Sequence, residues 1–154
     1  MLFRSHADAF AAACRTAGID IEISPDIRRA LWEKFCFLAA FAGCTCVARQ
    51  PIGVIRADTD LRATFETAAR EAWQVGRALG VPLADDYVAK CMAAIDALPA
   101  EMKASMLHDL TAGRPLEAPW LSGAVARMAA EVGQSAPVSR TLYAAVKPYL
   151  SGAG

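Results

Sequence analysis

A chain of 154 residues is long enough to bury one continuous core and too short for two. Its 16 basic and 16 acidic side chains cancel, which removes the long-range positive field that nucleic acid or an anionic membrane surface would need in a partner. The apolar share of 55 % and mean hydropathy of +0.27 exceed the ~45–50 % apolar content of ordinary soluble domains, and part of that surplus points to an interface.

In chain order, Ala7, Phe10, Ala11, Cys14 and Ala17 recur at helical spacing and stop at Gly18, predicting a first amphipathic helix. Ile19-Asp20-Ile21-Glu22-Ile23 alternates apolar and acidic residues, the pattern of a short strand covered on one side. One strand cannot form a sheet, so its partner lies outside this chain or does not exist. The N-terminus carries an acid at Asp8 and no continuous apolar run, unlike a secretory leader, so the chain reads as cytoplasmic.

Ser24-Pro25-Asp26 is a helix start: a hydroxyl for orphan amides, a ring suited to the first turn, and an acid for the positive end of the dipole. The helix it opens runs to about Ala48. Its most apolar part, Phe35 to Ala48, is shorter than the roughly 20 residues that cross a bilayer, which predicts a core helix and no membrane span.

Pro51 and Gly53 break the pattern, and Asp58-Thr59-Asp60 opens a further helix to Gly80 with Leu61, Phe65, Ala68, Ala69, Ala72, Val75 and Leu79 along one stripe. Asp85-Asp86 starts the next, ending before Pro99. Later helices are expected over Glu101 to about Leu110, Pro119 to Glu131 and Pro137 to Leu150, punctuated by Gly113, Gly133 and Pro148. The fold class is therefore all-α, a single multi-helix domain with at most one short N-terminal strand.

Five cysteines, at 14, 36, 44, 46 and 91, form no Cys-x-x-Cys pair and read as reduced, buried thiols. Cys44 and Cys46 are spaced to offer two thiolates to a soft metal. His6 and His108 are distant in sequence, however, and a packing role outweighs a metal site.

Lys34 heads the apolar run, with Ala30, Leu31, Phe37 and Leu38 one turn away. Partial desolvation there would make its ammonium a readier proton donor. The alternative is a lysine whose stem covers core residues while its head reaches water. Glu117, before Pro119 and an expected helix, suits either a helix end or a ligand. Ser105 is equally a cap or a ligand hydroxyl, and Asp109 with Arg114 can close the Gly113 turn as an ion pair.

The order of these residues carries more than any one of them. Leu31-Trp32-Glu33-Lys34 is followed by Pro51-Ile52-Gly53 and by Glu71 through Ala78-Leu79-Gly80-Val81. Then come Ser-Met-Leu-x-Asp-Leu-x-x-Gly-Arg-x-Leu-Glu over 105–117, Leu121-Ser122-Gly123-Ala124-Val125, and Pro137 with Leu142-Tyr143. This series resembles the C-terminal domain of the ketopantoate reductase (2-dehydropantoate 2-reductase) family, whose fold is that of the helical domain of the 6-phosphogluconate dehydrogenase-like reductases. The resemblance implies a helical domain that closes over an NADP-binding Rossmann domain with a 2-keto acid between them. It implies a general-acid role for Lys34, a substrate-binding role for Ser105 and a cofactor contact for Glu117.

Two departures shape the expectation. No Gly-x-Gly-x-x-Gly follows a strand, so the phosphate-cradling turn is missing and NADP is held only if a Rossmann domain is supplied by a partner subunit or by a longer reading frame. Better-known family members carry asparagines at the substrate-binding positions that are Leu38, Ala42 and Ile52 here. Without those amides a less polar 2-keto acid than ketopantoate is at least as well suited. The competing expectation is a non-catalytic helical module, derived from the same family, that serves dimerisation or interaction, including as a homodimer.

Overall fold

The computed structural model describes residues 2–152, the first four of them by their backbone alone. Among the described residues the chain forms eight α-helices, two single-turn 3-10 helices and no strand. The α-helices are α1 (Leu2–Thr16), α2 (Ile27–Ala48), α3 (Ile52–Ala57), α4 (Thr59–Ala78), α5 (Tyr87–Ala97), α6 (Ser105–Thr111), α7 (Ser122–Glu131) and α8 (Pro137–Val146). The 3-10 turns span Ala118–Trp120 and Lys147–Tyr149.

Helix α2 is the axis of the molecule. Asp26 is its N-cap, accepting from the Arg29 amide at 3.0 Å, while Ser24 accepts from the Asp26 amide at 3.2 Å. Its second half is apolar or small on all sides, and Cys36 and every residue from Ala39 to Cys46 are buried, as expected of a helix enclosed by others. By length and composition α2 is also apolar enough to cross a membrane, a test that any core helix of this length can pass. Arg49 ends it in the left-handed conformation (φ 54°), with the Arg49 amide on Cys46 O and the Gln50 amide on Thr45 O, the bond pattern of a Schellman stop.

Helix α4 packs along α2 through the expected stripe, of which Phe65, Ala68, Ala69, Ala72 and Val75 are buried. Close approach is possible because position 76 is glycine: a Cβ there would lie 2.1 Å from Trp32 Nε1. That indole N–H donates instead to the Ala72 carbonyl at 3.1 Å. Asp58 caps α4, accepting from the amides of Asp60 and Leu61 at 3.0 and 2.9 Å.

Helix α3 was not expected, because Pro51 and Gly53 read as breakers. Its first amides are satisfied across the chain, Ile52 N–H donating to Met102 O at 2.9 Å and Gly53 N–H to Ala100 O at 2.8 Å. Pro51, lacking an N–H, suits the position just before such an end. Gly53 is required sterically, since a Cβ would stand 2.7 Å from the Ala100 carbonyl oxygen. Further along α3, Arg56 Nη1 donates to the carbonyls of Ile95, Asp96 and Leu98 at 2.7–3.0 Å, closing the end of α5.

Two expectations are corrected. The segment Ile19–Ile23 is not a strand: it lies outside any helix or ladder, with Ile19 57 % and Ile23 40 % exposed. Alternation prepares a strand, but a ladder needs a neighbour, and none exists among the described residues. Helix α6 begins at Ser105 rather than Glu101, because residues 99–102 form a turn closed by Met102 N–H on Pro99 O. The apolar stripe expected on α1 is largely uncovered: Ala11 is buried, Cys14 half-buried, and Ala7, Phe10 and Ala17 exposed.

Candidate functional site

The face of α2 turned away from the core carries Ile27, Leu31, Lys34 and Leu38 at successive turns. The three apolar members are 62 %, 60 % and 37 % exposed, and Lys34 among them is exposed as well. Of the two arrangements open to Lys34, the chain shows the one in which its head reaches water. The helix buries Cys36, Ala39 and Ala40 on its opposite side and leaves Lys34 in an open apolar stripe. Next to this stripe, Arg28, Leu31, Trp32 and Phe35 of α2 face Trp120, Ala124 and Met128 across a groove of about 380 Å³.

Ser105 is the first residue of α6, exposed, with buried Ala104 before it and buried Met106 and Leu107 after it. It caps nothing, because Ala104 is the N-cap and no side-chain bond closes that end. Glu117 stands exposed at the entry of the first 3-10 turn, between buried Leu116 and Ala118. Its carbonyl accepts from the Trp120 amide at 2.8 Å, and its carboxylate makes no capping bond. Capping, the ordinary reason for a serine or glutamate at a helix start, thus explains neither residue.

Ala42 and Ile52 are buried, at 4 % and 0 % exposure, and Leu38 is at the surface. The core cluster that holds Ala42 and Ile52 also holds Ala104, Met106, Leu116 and Ala118, the neighbours of Ser105 and Glu117. Phe37, from the helix that bears Lys34, packs against the same cluster. The backbone bonds of Ile52 and Gly53 to Met102 and Ala100 tie the approach to α6 onto the start of α3. One cluster therefore anchors the segments that carry Ser105, Glu117, Ala42 and Ile52, and α2 passes along it.

Three polar side chains share one property: Lys34, Ser105 and Glu117 make no side-chain hydrogen bond or ion pair with any described residue. Polar groups with structural duties in this protein are tied down, as Glu71, Arg56 and Asp58 are. These three are free to meet a ligand.

Sequence spacing missed the support behind them. The Tyr87 hydroxyl donates to the carbonyl of Glu33, next to Lys34, and burial, followed by Cys91 beside it, holds its phenol well above the ordinary range, so it remains a donor. Asp109 and Arg114 form the expected ion pair at 2.8 Å. Burial pushes the thiols of Cys36, Cys44 and Cys46 up to about 12, in keeping with packed thiols. Among the described residues no three His, Cys, Asp or Glu side chains converge as metal ligands do.

Residues 26–150 match the family model described as ketopantoate reductase PanE/ApbA C terminal. The chain is 32 % identical over 130 residues to the uncharacterised oxidoreductase YkpB of Bacillus subtilis (strain 168), covering 84 % of this chain and 43 % of that protein. It is 33 % identical over 136 residues to the 2-dehydropantoate 2-reductase of Mycobacterium tuberculosis, covering 88 % and 45 % respectively. Among solved structures, a PanE/ApbA family ketopantoate reductase from Ralstonia eutropha JMP134 superposes with a TM-score of 0.84 at 29 % identity, covering 92 % of this chain and 47 % of that one. The chain spans less than half the length of the curated relatives it matches.

Proposed function

Because this chain belongs to the ketopantoate reductase PanE/ApbA family through its C-terminal domain, we propose that it is the substrate half of an NADPH-dependent 2-keto acid reductase. The observation that carries this reading is the family match over residues 26–150, together with Ser105 and Glu117 standing exposed on segments anchored in one core cluster along which α2, bearing exposed Lys34, passes. The described residues contain no strand and no glycine-rich turn after one. They therefore lack the cradle that a dinucleotide's phosphates require. In this reading a nucleotide-binding half holds NADPH, which supplies the hydride, and Glu117 is this chain's contact with it.

Reduction at C2 of a 2-keto acid turns the carbonyl oxygen into a developing alkoxide. An ammonium within hydrogen-bond reach stabilises that charge and delivers the proton, and Lys34 is the group proposed for it. Closing the nucleotide-binding half over the Ile27-Leu31-Lys34-Leu38 stripe would remove water from around the lysine, supplying the low-dielectric surroundings that the open face lacks. Ser105 takes the carboxylate end of the substrate. With Leu38, Ala42 and Ile52 unable to donate to a substrate hydroxyl, a 2-keto acid less polar than ketopantoate is at least as well suited as a substrate.

The test joins the chain to a nucleotide-binding half taken from a relative and follows NADPH oxidation with ketopantoate and a series of apolar 2-keto acids. Turnover that collapses in Lys34→Ala is expected. Absence of turnover with every acid, or undiminished turnover in that variant, would count against the reading.

One observation favours a second reading. Phe10 of α1 is 65 % exposed, and Ile19 and Ile23 of the unpaired segment are 57 % and 40 % exposed, apolar side chains of the kind that an interaction or dimerisation module would carry. Sedimentation of the isolated chain separates the two readings. Tight self-association through these side chains supports the module, and a monomer at high concentration leaves them for the nucleotide-binding half.

A further inference from the structure

The far end of α2 brings Arg49 to a pocket that Arg114 also lines. Arg49 is about 22 Å along the helix from Lys34 at the usual rise of ~1.5 Å per residue, so a ligand there is remote from the proposed proton donor. Arg49, Thr111, Gly113, Arg114, Tyr149 and Gly152 line a half-enclosed pocket of about 190 Å³ where the ends of α2 and α6 meet the C-terminal 3-10 turn.

Its walls are fixed by backbone. Leu116 N–H donates to Leu150 O at 3.1 Å and Arg114 N–H to Asp109 O at 2.8 Å. Gly152, at φ 93°, lies so close to Gly113 that a Cβ would stand 2.6 Å from its carbonyl oxygen.

The two guanidinium groups are not exhausted by the fold. Arg49 lies over the Tyr149 ring, 5.4 Å from its centroid, and has no carboxylate partner among the described residues. It also occupies a left-handed position, φ 54°, where glycine would avoid a steric penalty. Arg114 uses Nε on Asp109 Oδ1 at 2.8 Å, and no bond engages its Nη groups. The Thr111 hydroxyl proton is committed to Leu107 O at 2.8 Å, so the available donors are guanidinium N–H groups. Asp109 neutralises one of the two arginines, leaving the pair with a net positive charge.

We propose that this pocket binds a small oxyanion, phosphate or carboxylate, between the guanidinium groups of Arg49 and Arg114. Guanidinium groups bind oxyanions through paired N–H donors, and Arg49 and Arg114 both line this one pocket. The volume of about 190 Å³ admits such a group together with several waters.

The test titrates the full chain with inorganic phosphate, and separately with acetate, at constant ionic strength, following backbone amide resonances. Saturable shifts confined to Gly113, Arg114 and Gly152 are expected. Arg49→Gly relieves the left-handed backbone and so keeps the fold, and with Arg114→Gln as a second variant each should weaken binding by about 10-fold or more through a lost charge-assisted bond. Tighter phosphate than acetate identifies a phosphoryl ligand, and the reverse a carboxylate; either supports the site. Shifts that do not saturate, or affinities unchanged in both variants, overturn it.

Discussion

The carboxylate of Glu71, on α4, accepts from both the backbone N–H and the hydroxyl of Ser139, at 2.7 and 2.6 Å, and so closes the start of α8 from a different helix. Its other oxygen takes the Val138 amide at 2.9 Å. Pro137 and Val138 provide no capping side chain, and Ala136 at the N-cap makes no side-chain bond. The orphan donors at this end are therefore satisfied only through Glu71, itself 4 % exposed.

Glu71→Ala should consequently lower the free energy of unfolding by roughly 2–4 kcal/mol, because buried donors then lose a charged acceptor. Glu71→Gln, which retains one carbonyl acceptor, should lose about half as much. Urea titrations of the three proteins check both the sign and the order. Loss confined to a few tenths of a kcal/mol in the alanine variant would contradict the cap.

Gly76→Ala offers a prediction of sign. In an open helix the change would stabilise by about 1 kcal/mol, since glycine is the poorer helix former. Here the added Cβ meets Trp32 Nε1 at 2.1 Å and Leu83 Cδ1 at 2.7 Å. The indole must leave its bond to Ala72 O, and the expected result is a net loss of about 1–3 kcal/mol by overpacking. The unfolding midpoint reports the sign, and a shifted Trp32 fluorescence maximum reports the displaced ring.

The helices that sequence made legible are those with local signals. Ser24-Pro25-Asp26 and Asp58-Thr59-Asp60 mark starts because their side chains bond amides two or three residues away. Helix α3 was hidden because its first amides are satisfied by carbonyls of residues 100 and 102, about which Pro51 and Gly53 say nothing. The segment Ile19–Ile23 failed for the converse reason: its alternation is local, but a ladder is not. At the candidate site, residue types and order named Lys34, Ser105 and Glu117. Spacing alone could not show that α2 turns Lys34 outward with Leu31 and Leu38, since that depends on which face α4, α6 and α8 cover.

Stability should fall at alkaline pH through the buried thiols. Burial raises the folded values of Cys36, Cys44 and Cys46 from 9.0 to about 12, so between those limits the unfolded chain has released protons that the folded chain retains. The stabilisation is complete below pH 9 and is lost as pH rises towards 12. At pH 10 the three together account for a loss of up to about 4 kcal/mol, at 1.4 kcal/mol per group per unit. Urea midpoints at pH 8 and 10 measure it, and Cys44→Ala should flatten the dependence. A pH-independent midpoint over this interval would contradict the burial of these thiols.

The unpaired segment at the N-terminal side yields a test of docking that leaves chemistry aside. Ile21 is half-buried, and its carbonyl accepts a 3.4 Å bond from Arg15. Proline there removes an N–H that a ladder needs and is excluded from a central strand. Ile21→Pro should leave the unfolding of the helical body within about 0.5 kcal/mol of the parent, while weakening association with a nucleotide-binding half. Equal association of parent and variant, by titration calorimetry, would show that this segment pairs with nothing.

Lys34, Ser105 and Glu117 separate function from stability in one set of variants. Each is exposed and none holds another described residue, so alanine at any of them should change the unfolding free energy by no more than about 0.5 kcal/mol. In the joined enzyme the same substitutions should diverge. Loss of the proton donor at Lys34 should lower kcat by about 10²- to 10⁴-fold. Ser105→Ala should raise KM for the 2-keto acid with a smaller effect on kcat, and Glu117→Ala should act chiefly on the concentration of NADPH required. A lysine kept for packing gives the opposite outcome: Lys34→Ala would destabilise the chain, and Lys34→Met, which keeps the apolar stem, would restore both stability and turnover. Turnover restored by methionine would therefore remove the ammonium from the reaction.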